Sequence, residues 1–173
     1  MQKQPKKIWL AVLILSLLSP QLWAAGKSFR IELLFFAQHS STNEVFDQYN
    51  SRIEWPLRVA GLGQFNRAGY SLSGIKKRLQ NSSAYRPLLH VAWTQRISAN
   101  RLGTAVKIQD GATGINGFFR LQRGNLLHML ADFEYSPEGG VIYRIKEKRR
   151  FKLNEIHYLD HPRFGIIVRV SPL

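Results

Sequence analysis

Residues 117–135 read GFFRLQRGNLLHMLADFEY. In the second half Leu127, Met129, Ala131, Phe133 and Tyr135 recur at every other position, the two-residue period of a strand that buries one face. The first half supplies a partner strand, GFFRLQ, and between the two Arg123, Gly124 and Asn125 are the residue types of a tight turn. A hairpin written this strongly commits the region to an antiparallel sheet, because strands joined by a short turn run in opposite directions.

The pattern continues on both sides. After a turn at residues 136–140, the run VIYRIKEKRRF alternates Val141, Tyr143 and Ile145 against Ile142, Arg144 and Lys146, and residues 165–170 form a closing strand. Upstream, AYRPLLHVAWTQRI places Leu89, Val91, Trp93 and Ile97 on one side and His90, Thr94 and Arg96 on the other. Trp93, in step with core positions, is expected to be buried. Residues 105–109 offer a short strand, and residues 28–38, SFRIELLFFAQ, begin by alternating and end apolar on both faces, as a strand entering a sheet interior does. Ser71 can cap a helix with Leu72, Ile75 and Leu79 on one face and Lys76, Lys77, Arg78 and Gln80 outward. Residues 39–66 are polar and punctuated, an irregular connection with a short helical turn. The expected fold is α+β, a mainly antiparallel sheet built from hairpins with one or two helices packed on one face.

The chain has 173 residues, 25 Lys and Arg, 11 Asp and Glu, and no cysteine. Lys3, Lys6 and Lys7 precede an apolar run; this basic segment and an h-region of about eleven residues have the form of a secretory signal, too short to span a bilayer. Ser19 and Pro20 end the run, and cleavage is expected near Ala24 or Ala25. Residues 1–25 are then a signal peptide, residues 26–173 a single domain, and no membrane anchor remains. Loss of the signal takes three basic residues and no acid, leaving 22 against 11, a balance of +11. Such a surface attracts polyanions: anionic lipid, lipopolysaccharide or an acidic wall polymer, with nucleic acid set aside for an exported chain. Charge serving solubility alone is the plain alternative. Absence of cysteine excludes thiol catalysis and Cys-ligated metal.

Residues 154–165, NEIHYLDHPRFG, gather two histidines and two carboxylates. His157 and His161 stand four apart, the spacing that on a helix would bring both imidazoles around zinc. Pro162 opposes a helix here, since the residue before proline is pushed toward extended conformations. In a strand followed by a turn the rings need not converge, and no metal or other cofactor is expected. The plain reading is a structural corner in which Asp160 accepts backbone N–H bonds of an Asx-type turn while Tyr158 and Leu159 tuck under the sheet. No G-x-S-x-G elbow occurs, and nothing in the spacing of the acids selects a glycosidase pair, so no catalytic residue is expected. Arg144, Lys146, Lys148 and Arg150 alternate, and on a strand they form a stripe, about 7 Å between neighbours, able to hold several carboxylates. Its alternative is a solvated face or an edge kept from aggregating by lysines.

Three segments, in the right order, resemble the CsiV family of exported peptidoglycan-binding proteins, linked to wall assembly and cell shape in Gram-negative bacteria. YRPLLHVAWTQ at residues 85–95 is similar to that family's Tyr-x-x-Leu-Leu-His-x-x-Trp-x-Gln segment. The 117–135 hairpin resembles its hairpin with the pair Leu127 and His128, and KEKRRFKLNEIHYLDHPRFGIIVRVSP at 146–172 resembles its C-terminal signature. The resemblance runs over roughly residues 28–172 and implies a periplasmic, non-catalytic binder of peptidoglycan that assists wall assembly.

Peptidoglycan stems carry free carboxylates beside uncharged glycan, so a surface that holds them needs guanidinium groups for bidentate pairing and polar or aromatic groups for sugars. Arg149 and Arg150 are the candidates for the first role; His157, Tyr158, Asp160 and His161 are those for the second. Alternation puts the two arginines on opposite faces, so one is expected to be structural, pairing with Glu155 or Asp160. A second partner in view is an outer-membrane lipoprotein activator of a penicillin-binding synthase. The alternative function is a protein-interaction module that regulates such an activator, its wall affinity incidental.

Overall fold

The computed structural model describes residues 26–39, 52–137 and 141–173; the signal segment lies outside them. In chain order the elements are β1 (Lys27–Gln38), β2 (Val59–Gly61), a 3-10 turn (Leu62–Gln64), α1 (Ser73–Gln80), β3 (Tyr85–Ile97), β4 (Arg101–Leu102), β5 (Ala105–Asp110), β6 (Ile115–Arg123), β7 (Leu127–Tyr135), β8 (Tyr143–Arg150), β9 (Ile156–His161) and β10 (Phe164–Pro172). The class is α+β and mostly sheet, with one short α-helix among the described residues. The strands form two sheets where one was expected. The first runs β3-β1-β10-β9 and the second β2-β5-β6-β7-β8, with β4 on β6. Pairing is antiparallel except between β2 and β5.

The second sheet exists because β1 is apolar on both faces and must cover each. Phe29, Ile31, Leu33 and Phe35 face the other sheet and share one core with Trp93 of β3 and Met129, Ala131 and Phe133 of β7, and Phe35 meets Phe133 edge-on at 4.9 Å. Trp93 is fully buried there, as its alternation requires. On the other face Leu34, Phe36 and Ile167 are covered by Leu72, Ile75 and Leu79 of α1. The hairpin of β6 and β7 pairs from Arg123 with Leu127 to Ile115 with Tyr135.

Ser71 does not cap α1 in the expected way. Its N–H and hydroxyl both donate to Glu32 of β1, and the N–H of Leu72 donates to the same carboxylate at 2.8 Å. His90 Nε2 lies 2.8 Å from Oε1, the oxygen that also accepts from Leu72, and Glu32 is 1% exposed. The backbone N–H groups of Ser71 and Leu72, which lead into α1, are therefore satisfied by a carboxylate delivered from the sheet beneath. From β8 the chain returns to the first sheet through buried Phe151 and through Asn154, whose φ is +64°. The Asn154 N–H donates to the Val170 carbonyl at 2.8 Å.

Candidate functional site

The histidine-rich stretch is a hairpin: β9 and β10 are joined through Pro162 and Arg163, with His161 opposite Phe164 and Asp160 opposite Gly165. Strand alternation deals its side chains to two faces. Leu159 enters the inter-sheet core, and His157 and His161 share its side; Tyr158 and Asp160 take the outward side. His157 packs edge-on against Phe151 at 5.8 Å, with Nε2 3.1 Å from the Lys152 carbonyl. His161 sits between Tyr143 and Phe164, with ring centroids at 5.4 and 5.6 Å. Four residues of strand separate the two imidazoles by roughly 13 Å, so they share no ligand. Among the described residues no three His, Asp or Glu side chains converge.

The outward side of β9 meets the end of β1. Gln38 Nε2 lies 2.9 Å from both the Tyr158 hydroxyl and Asp160 Oδ1, and 3.0 Å from the His161 carbonyl. The Tyr158 hydroxyl donates to Asp160 at 2.5 Å. Asp160 thus serves side chains and not the backbone of an Asx-type turn; within the turn the Arg163 N–H donates to His161 Nδ1 at 3.2 Å, and the Gln38 N–H donates to the Arg163 carbonyl at 2.9 Å. Tyr158 likewise stands at the surface, 41% exposed, where it was expected beneath the sheet. Its ring stacks on Phe36 at 5.9 Å, and Tyr85, 38% exposed, meets Phe36 edge-on at 5.5 Å. Gly165 makes room for this row: a Cβ there would come within 2.6 Å of ring atoms of both Phe36 and Tyr158.

Burial, and then the neighbouring Asp160, push the Tyr158 phenol above its ordinary range, so it remains a donor. Burial also holds His161 below its usual value, outweighing the pull of Asp160, while Arg163 adds to the lowering. With Nδ1 accepting from Arg163, the neutral ring carries its proton on Nε2.

The two arginines part company. Arg149 donates to Glu147 at 2.8 Å and to the Tyr158 carbonyl at 3.1 Å, so it fastens β8 to β9; the pairing with Glu155 or Asp160 is replaced by these. Arg150 is exposed and belongs to the outer face of the second sheet, opposite His128 in register. The basic stripe is also divided. Arg144 is buried in a bidentate pair with Asp132, at 2.7 and 2.8 Å, and Lys146 reaches Glu54 at 3.1 Å, which leaves Lys148 and Arg150 exposed.

Of the six residues singled out in the sequence, Tyr158, Asp160 and His161 come together, Arg149 supports them through the backbone, His157 lies further down the inner face, and Arg150 is on another surface. Tyr85, which with Trp55 and Trp93 the sequence offers as a ring able to stack on sugars where exposed, joins this cluster from β3. Gln38 and Phe36 carry no site signal along the chain beyond a polar residue ending an apolar run, because they reach the cluster across strands.

A protein-family model described as "Peptidoglycan-binding protein, CsiV" matches residues 60–173. No curated protein and no solved structure matches the chain.

Proposed function

The chain belongs to the CsiV family of peptidoglycan-binding proteins, and from that premise we propose that it holds peptidoglycan, without cutting it, on the outward face of β9 and the adjoining ends of β1 and β3. One observation carries the choice of face: the exposed rings of Tyr158 and Tyr85 flank Phe36, with the Gln38 amide and the Asp160 carboxylate at the same edge. Sugar rings present an apolar face that packs on aromatic rings and a rim of hydroxyl and acetamido groups that seek amide and carboxylate partners. A row of rings on a rigid sheet supplies both without further ordering of the chain. His161 supports the hairpin from below, and His157 and Arg149 keep β9 against β8.

Membership in this family implies a cell-envelope location. We further propose that the chain is exported to the periplasm with cleavage near Ala24 or Ala25 and takes part in wall assembly and cell shape, with an outer-membrane lipoprotein activator of a penicillin-binding synthase as a second partner. These additions rest on the resemblance of the motifs.

Pull-down on purified sacculi tests the face. Tyr158→Ala is expected to weaken binding roughly tenfold, about 1.4 kcal/mol of stacking and hydrogen bonding, with circular dichroism unchanged. Binding equal to the wild type would move the site elsewhere. Release of soluble muropeptides during the incubation would overturn the non-catalytic reading.

A further inference from the structure

Two adjacent rows cross the lower half of the second sheet on its outer face. In register they are Arg120, Leu130 and Lys148, then Gln122, His128 and Arg150, with Leu102 of β4 opposite Gln122. Neither row contains an acid. The acids nearby are engaged: Asp132 holds Arg144 and Glu54 holds Lys146. The upper half of the face is neutralised and capped by Ile53 and Trp55 against Phe118. The lower half is open, and among the described residues neither Lys148 nor Arg150 makes an ion pair or side-chain hydrogen bond. Arg120 is fixed by a 2.7 Å bond from Nε to the Gly103 carbonyl, so its terminal nitrogens are already oriented. Arg120 and Lys148 border, with Leu102, His128 and Leu130, a cleft of about 160 Å³, and Arg150 stands beside it, opposite His128 in register. At roughly 30 Å³ per water the cleft has room for about five waters, the size of one small amino-acid residue.

We infer that this cleft is a second murein subsite, one that takes the free carboxylate and small apolar side chain at the end of a stem peptide. The inference rests on the peptidoglycan reading above and gives it a second, chemically distinct contact. The fixed guanidinium of Arg120 and the exposed ammonium of Lys148 pair with a carboxylate, while the leucines receive a methyl-sized side chain beside it. A flat lipid surface does not enter a concavity of this size.

The test uses the double variant Lys148→Gln/Arg150→Gln, whose side chains are exposed and, among the described residues, make no ion pair or side-chain hydrogen bond. Sacculi are prepared untreated and with their carboxylates coupled to ethanolamine as neutral amides. Amidation is expected to weaken wild-type binding roughly tenfold, the variant to bind untreated sacculi roughly tenfold more weakly than wild type, and amidation to change the variant less than twofold, since coupled effects at one contact do not add. Lys77→Gln/Arg78→Gln on α1, with the same loss of charge, is expected to bind as wild type. A variant as sensitive to amidation as the wild type overturns the inference, as does an equal loss in the α1 control, or a variant defect seen only on anionic phospholipid vesicles. Failure of the wild type on untreated sacculi is a different result, and it removes the peptidoglycan reading and this subsite together.

Discussion

Glu32 is a charge in the middle of the most apolar strand, and its surroundings explain why it is tolerated. Burial alone raises its pKa, but the bonds from His90, the Ser71 hydroxyl and the Leu72 and Ser71 N–H groups outweigh it, bringing it from 4.5 to about 2. A carboxyl whose pKa is lower folded than unfolded contributes stability that is complete above its unfolded value and fades as pH falls toward the folded one. A lowering of this size corresponds to about 3 kcal/mol. Denaturation of the wild type between pH 5 and pH 2 is therefore expected to lose about 3 kcal/mol more than Glu32→Gln does over the same window. Equal pH slopes for the two proteins would show that the carboxylate is not held as described.

The β9–β10 hairpin is the element on which the proposed face depends. Its register places Gly165 directly opposite Asp160, where the rings of Phe36 and Tyr158 lie across bare backbone. Gly165→Ala would force those rings apart, and overpacking of this kind costs about 1–3 kcal/mol. The expected outcome is a lower denaturation midpoint together with a loss of sacculus binding as large as that of Tyr158→Ala. A stable Gly165→Ala protein that binds normally would mean the aromatic row does not touch the ligand. Arg149, by contrast, works through the Tyr158 carbonyl, so it positions the strand and does not present its guanidinium to solvent on that face.

At the scale of the molecule the excess of 25 basic over 11 acidic residues attracts any polyanion, so charge alone could mimic recognition. Exposed charges are screened beyond about 8 Å at physiological ionic strength, whereas stacking on a rigid ring row is not. Raising salt from 0.05 to 0.5 M, on the order of a fall in screening length from 14 to 4 Å, is expected to weaken sacculus binding without abolishing it. Complete release at moderate salt would favour the alternative, a protein-interaction module whose wall affinity is incidental. The two faces described here lie on different sheets, and the same series separates them: the Lys148 and Arg150 contact should carry the salt-sensitive part.

The α+β class, most strands, the helix over Leu72, Ile75 and Leu79, and the burial of Trp93 are legible in the sequence, because periodicity reports directly which side of an element avoids water. The motifs also carry the family. What they do not carry is pairing between distant strands. Apolar residues on both faces of β1 say that both are covered, not that a second sheet covers one and a helix the other. Alternation puts Tyr158 and Asp160 on a common side, yet Gln38, Phe36 and Tyr85 reach them only through the order β3-β1-β10-β9. Likewise the basic stripe of β8 looks uniform along the chain, and only the neighbouring strand and the segment before β2 decide that Arg144 and Lys146 are neutralised while Lys148 and Arg150 are not. Local pattern fixes which side a residue faces; the fold alone decides what it faces, because those neighbours come from other elements, 12 residues away for Asp132 and 92 for Glu54.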